Sequence, residues 1–337
     1  LSRRQRQMCI RDSRRGHKFD PCHTHQFFQP ALCRLFCYLS EKIMKSAKIF
    51  IDESGFKSKS KNISSLNKNN ICLFVGVIIP ETVENFCTSY FQALFDKFKT
   101  NIPSDMKLHI TDAFASQDPN IRKLVQEVRD GYLKTFKEKQ GKYLFGAKRA
   151  GIEKNSFDFR ENWLSNIDKS RTNTHLKISH PHSQQTLEGQ AFESLIGKME
   201  AFAEEFDFDE VIPLFDEIDT AKQEEYKKIL SRFRSINDTE TITATAWDTQ
   251  TNRVVKASGQ VRFEVENFGI ENRVADIQVI GKNHPLILLA DILANYTHNY
   301  MKILPPDTPL HAPDSYKNFD LYPYIYGLTD SWLDDII

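Results

Sequence analysis

The sequence predicts an α/β fold: a mixed sheet flanked by helices, with helices inserted between its strands. Two observations carry this. Short, wholly apolar β-rich runs such as Ile49-Phe50-Ile51 and Ile71–Ile79 alternate with longer segments of helical period, such as 187–206 and 285–301. Two of the apolar runs also end abruptly in carboxylates, at Asp52-Glu53 and at Asp216-Glu217. Open α/β sheets tend to place ligand sites at such strand ends.

Totals narrow the function classes. Formal charge is zero over 337 residues but unevenly spread. Residues 1–43 hold nine Lys/Arg against three Asp/Glu, a net of +6; the rest holds 36 against 42, a net of −6. An acidic body argues against broad coating of nucleic acid, yet is compatible with a metal-dependent nuclease. No apolar run approaches the ~20 residues that span a bilayer, so a soluble, cytoplasmic protein without a membrane partner is expected. Four of the six Cys precede residue 40. Cys72 and Cys87 lie in apolar surroundings and read as plain core thiols.

Residues 1–43 show no sustained period and are expected to be a non-native or disordered extension. Arg4–Ser13 reads like translated sequencing-adapter sequence, and Met44 is a sensible natural start. Cys22, His25, Cys33 and Cys37 have zinc-ligand types, but their spacing is irregular.

The opening strand runs into Asp52. A buried carboxylate needs a partner, either a divalent cation or the turn amides beyond it. Residues 56–70 form a polar loop with Lys57, and 71–79 a second buried strand antiparallel to the first. A helix over 80–99 carries the stripe Phe86, Tyr90, Leu94 and Phe98, read as core. Residues 107–112 alternate and read as a short strand with His109 and Thr111 on one face. A helix over 120–139 and a strand over 143–147 follow. The pattern then weakens; 157–167 has a helical look, and His180 and His182 lie in a loop.

The helix over 187–206 has Glu188 in its first turn. There the helix dipole favours negative charge, and there it could also join Asp52 at a metal. In 211–219 Asp216 falls directly at a strand end, whereas Asp219 caps the next helix. Pro213 signals an edge or a bulge. Strands are expected at 241–247, 260–265 and 275–280. In the closing helix Asp291 is a lone charge in an apolar run, and Leu288, Asp291, Asn295 and His298 share one face. Such a stripe faces solvent or something polar inside. The tail from 305 to 337 is expected to pack over the surface.

Ile-Asp-Glu-Ser-Gly (51–55), Lys-Leu-His-Ile-Thr-Asp (107–112), Leu-Phe-Asp-Glu (214–217) and Leu-Ala-Asp-Ile-Leu-Ala (289–294) occur in this order. Together they resemble the domain of unknown function 3800, a bacterial family related to the ribonuclease H-like superfamily. The resemblance spans about 45–301 and implies a ribonuclease H-like domain over 44–304. It implies a carboxylate-bound Mg²⁺ or Mn²⁺ centre on Asp52, Asp216 and Asp291, with Glu188 beside them. The activity expected is nuclease-type phosphodiester hydrolysis, with His109 positioning or protonating a phosphate. Lys57, Lys107, Lys148 and Arg149 are candidate contacts to a nucleic-acid backbone, and Lys107 stands where many relatives place an acid. The alternative is an inactive module of the same fold that binds nucleic acid or protein in phage defence or a mobile element.

Overall fold

The wholly apolar run Ile71–Pro80 is buried along its entire length, and the fold is laid out around it. The computed structural model describes residues 45–55, 67, 69–151, 176–179, 186–234, 239–262, 272–281 and 283–328. All of these belong to one compact unit within Met44–Ile337. The cysteine–histidine set before residue 40, Lys57, the helix expected over 157–167, His180 and His182 lie outside the described residues.

Strands β1 (Ser46–Gly55), β2 (Ile71–Pro80), β3 (Tyr143–Arg149), β5 (Glu210–Phe215) and β8 (Gln278–Val279) form a sheet of order β3-β2-β1-β5-β8. The first three pair antiparallel; β5 lies parallel to β1, and β8 parallel to β5. The architecture is thus α/β with a mixed five-stranded sheet, as expected. A smaller antiparallel sheet contains β4 (Leu176–Ser179), β6 (Thr239–Asp248) and β7 (Arg253–Arg262), in the order β4-β6-β7. The described residues between 152 and 185, Leu176–Ser179, form a strand of this smaller sheet.

Pro213 explains itself in this sheet. Val211 bonds outward to the 273–275 segment through both its N–H and its C=O, and Phe215 bonds outward to Ile280. Pro213 falls between them on the same side, where the outer ladder is interrupted and no N–H is required.

Alternation along the strands sorts the core into two layers. Phe50, Leu73, Val75, Val77, Phe145 and Leu214 point to one face. That face is covered by α1 (Glu84–Asn101), α3 (Pro119–Glu138) and α6 (Pro285–Ile303). Phe74 and Phe215 point to the other face, where they meet Phe192 and Tyr226 at ring separations of 5.5–5.7 Å. Those two rings come from α4 (Leu187–Glu205) and α5 (Thr220–Arg234). Burying each such ring contributes about 2–3 kcal/mol. Helix α4 sits close because β3 carries Gly146: a Cβ there would lie 2.1 Å from Ala191 O and 2.5 Å from Leu195 N.

Two local expectations change. In α1 the buried row is Phe91, Phe95 and Phe98, while Phe86 is 60% exposed. Residues four apart drift by about 40° at each step around a helix of 3.6 residues per turn, so Phe86, the first aromatic of the expected stripe, falls outside the packed face. The tail does more than cover the surface: Leu310, Tyr316, Phe319 and Leu321 are buried in the α1–α3–α6 layer.

Candidate metal-binding cleft

Asp52 lies three residues before the end of β1, because β1 continues to Gly55 alongside β2. What ends at this point is the other neighbour. The parallel ladder with β5 stops at Ile51 opposite Phe215, so Asp52 and Asp216 are the next residues on diverging backbones. By alternation Asp52 shares the face of Phe50, and Asp216 the face of Leu214. A cleft of about 280 Å³ opens there, lined by Asp52, Lys107, His109, Asp112, Asp216 and Glu217 among others.

Helix α6 passes over the inner end of this cleft. Asp291 is 4% exposed and Asp52 is 8% exposed. One oxygen of Asp291 accepts the N–H of Ile110 at 2.6 Å; the other lies 3.5 Å from His109 Nε2. One helical turn on, Asn295 Nδ2 donates to Thr111 Oγ1 at 3.0 Å. Through Asp291 and Asn295 the polar stripe of α6 fastens residues 109–111. His298, two turns along the same stripe, hydrogen-bonds the backbone of Ile71. Burial, reinforced by nearby Lys302, pushes its imidazole down to about 4. It also packs on Gly55, whose φ of +105° and close approach leave no room for a Cβ: one would lie 2.2 Å from Ile71 O and 2.8 Å from His298 Nε2.

The strand expected over 107–112 is not formed. Residues Ile110–Phe114 make a short helix, α2, and His109 precedes it in extended conformation (φ −138°, ψ 127°). Ile110 and Ala113 are buried, at helical spacing. The change matters for the site. A strand would have turned Asp112 away from His109, whereas the helical turn lets both line the cleft. The apolar spacing of Ile110, Ala113 and Phe114 is the signal that could have shown this.

Asp52, His109 and Asp291 each offer one ligand atom, and these atoms all lie within 4.8 Å of one another. Two carboxylates and an imidazole suit a divalent cation. Asp216 lies outside this donor group; it lines the same cleft and takes the N–H of Glu217 on one oxygen.

Glu188 does not stand beside Asp52. It is on the opposite face of the sheet, in a cluster with Glu53, Lys222 and Tyr226. Glu188 accepts from Tyr226 Oη at 2.6 Å and from Lys222 Nζ at 2.7 Å. Glu53 accepts from the same two groups at 3.0 and 3.1 Å. The reason is the two-residue period of β1: Glu53 necessarily points away from Asp52, and α4 covers the face Glu53 is on. Two carboxylates share one ammonium here. Burial, then repulsion from Glu53, holds the Glu188 carboxyl above its usual value. Burial alone would lower the Lys222 ammonium, but Glu53 and Glu188 outweigh it and raise it.

Of the candidate backbone contacts, Lys107 lines the cleft. Lys148 and Arg149 are each 3% exposed, so neither is open to a phosphate chain. β3 runs two residues beyond the strand expected, which carries both inside. Arg149 donates to the carbonyls of Met301 at 3.0 Å and Pro305 at 2.6 Å, capping the carboxyl end of α6. No described helix is long and apolar enough to cross a membrane. Comparisons with family models, curated proteins and solved structures give no match.

Proposed function

We propose that the protein is a metal-dependent phosphodiester hydrolase with a ribonuclease H-like core, acting on nucleic acid at the cleft of Asp52. The observation that carries this reading is the convergence of Asp52, His109 and Asp291, from three separate elements, on one cation-sized space at the edge of an open cleft. The mixed sheet is compatible with such a core. So is the motif order that resembles the domain of unknown function 3800.

Asp52 and Asp291 would hold a Mg²⁺ or Mn²⁺ ion, with Asp216 close enough along the strand ends to serve the same cleft. Such an ion supplies Lewis-acid polarisation of a phosphoryl oxygen and lowers the pKa of water. Lys107 offers a positive charge at the cleft wall for a non-bridging phosphate oxygen. Asp291 is oriented by the Ile110 amide, so its carboxylate is pre-set rather than free to rotate.

The test is incubation of the purified full-length chain with single- and double-stranded DNA and RNA, in Mg²⁺, in Mn²⁺ or in chelator. Cleavage that needs the ion and disappears in Asp52→Asn and Asp291→Asn is the expected result. Metal binding without cleavage of any substrate would instead favour an inactive binding module.

A further inference from the structure

We infer that His109 is a ligand of this ion through Nε2, not a proton carrier, and that the site therefore takes Mn²⁺ in preference to Mg²⁺. The inference rests on the hydrolase reading above and specifies its ion.

A histidine that relays protons with an aspartate uses its two nitrogens separately, one on the carboxylate and the other on the reacting group. His109 cannot work that way. Its Nδ1 is buried, with no hydrogen-bond partner among the described residues. Its Nε2 is the nitrogen nearest Asp291, so no second nitrogen is left to face a substrate. The Nε2–Oδ1 separation of 3.5 Å is also too long for a good hydrogen bond. It is close to what a shared ion requires: two ligands at right angles around an ion with bonds of ~2.1 Å stand about 3 Å apart.

The backbone that carries the ring is held by its neighbours. His109 N–H donates to Lys107 O at 2.8 Å, and its carbonyl accepts from Ala113 at 3.1 Å. The next amide, of Ile110, is fixed to Asp291 itself. The carboxylate that would share the ion thus also anchors the backbone that presents the imidazole. Ordering these groups before an ion arrives reduces the cost of binding it.

Ligand type then decides selectivity. Mg²⁺ favours all-oxygen octahedra and gives up its waters reluctantly, whereas an imidazole nitrogen suits first-row transition ions. Replacing one oxygen ligand by His109 shifts the balance toward Mn²⁺.

The experiment is a Mn²⁺ titration of the full-length chain followed by electron paramagnetic resonance, with Mg²⁺ as competitor, on wild type and His109→Asn. Wild type is expected to prefer Mn²⁺ by at least about tenfold, and the variant to lose most of that preference, its Mn²⁺ affinity falling more than its Mg²⁺ affinity. Pulsed resonance on Mn²⁺-loaded wild type, which does not depend on the variant folding, is expected to show nitrogen coupling from an imidazole. Bound Mn²⁺ without nitrogen coupling, or an unchanged preference in His109→Asn, would overturn the inference and leave a carboxylate site intact. Absence of binding by either ion to wild type would overturn the hydrolase reading as well.

Discussion

Asp52 and Glu53 are neighbours on one strand, yet they lie in opposite chemical settings. Glu53 points into a closed cluster where Glu188, Lys222 and Tyr226 complete each other. Asp52 points to the face where α6 and the 109–112 segment leave a cleft, and where Asp291 and His109 offer further ligand atoms. On one side Lys222 lies between two carboxylates; on the other Asp52, His109 and Asp291 form the candidate cation site. The comparison teaches that the number of carboxylates near a strand end says little. The face each one takes, and what the helix above that face carries, decide between a structural ion cluster and a candidate metal site.

The comparison can be broken in several places. The largest effect is expected on the open face. Asp291→Asn keeps an oxygen for the Ile110 amide but removes a charged ligand, and should lower metal-dependent hydrolysis by more than about 100-fold with little loss of stability. Initial-rate assays beside a urea unfolding curve check both halves.

The closed face should respond in the opposite way. Lys222→Met leaves Glu53 and Glu188 without their shared cation, at side-chain exposures of 15% and 9%. It should lower the unfolding free energy by about 3 kcal/mol and leave Mn²⁺ affinity within about threefold of wild type. Denaturant unfolding and a metal titration read these separately.

A third prediction concerns the packing of α6 on β1 and β2. With its imidazole pushed down to about 4, His298 is needed neutral in the fold. Its contribution is complete above the ordinary value of 6.5 and is lost as pH falls toward 4, a swing of about 3 kcal/mol. Buried His311, held well below its usual value by burial and then by Lys198, acts with the same sign. His298→Gln should flatten the pH dependence of unfolding between about 6.5 and 4 without abolishing it.

The smallest effect is at the entrance to α4. Thr186 Oγ1 accepts from Gly189 N at 2.9 Å and donates to Glu225 at 3.2 Å, so Thr186→Ala should cost about 1 kcal/mol in thermal or urea unfolding. Metal binding should not change.

Much of the frame was legible in the chain. The runs at 49–51 and 71–79 are buried on both faces, and such strands announce themselves as continuous apolar stretches. The charge of Asp291 stood out because everything around it on α6 is apolar, and the cap formed by Asp219 on Lys222 N–H followed from its place before a helix. What stayed hidden depended on face and contact. The alternation of 107–112 reads as a strand, and the helical spacing of Ile110, Ala113 and Phe114 shows only when the window runs past Asp112. The place of Glu188 stayed hidden because Lys222 joins it to Glu53 across 169 residues of sequence. Arg149 reads as a surface cation because nothing local shows that the carbonyls of Met301 and Pro305 await a donor.

The measurement that bears most directly on the account is a calorimetric Mn²⁺ titration of wild type, Asp52→Asn and Glu53→Gln, two neighbouring acids on opposite faces. The account predicts that Asp52→Asn loses Mn²⁺ binding and that Glu53→Gln retains it. Undiminished binding in Asp52→Asn would contradict it.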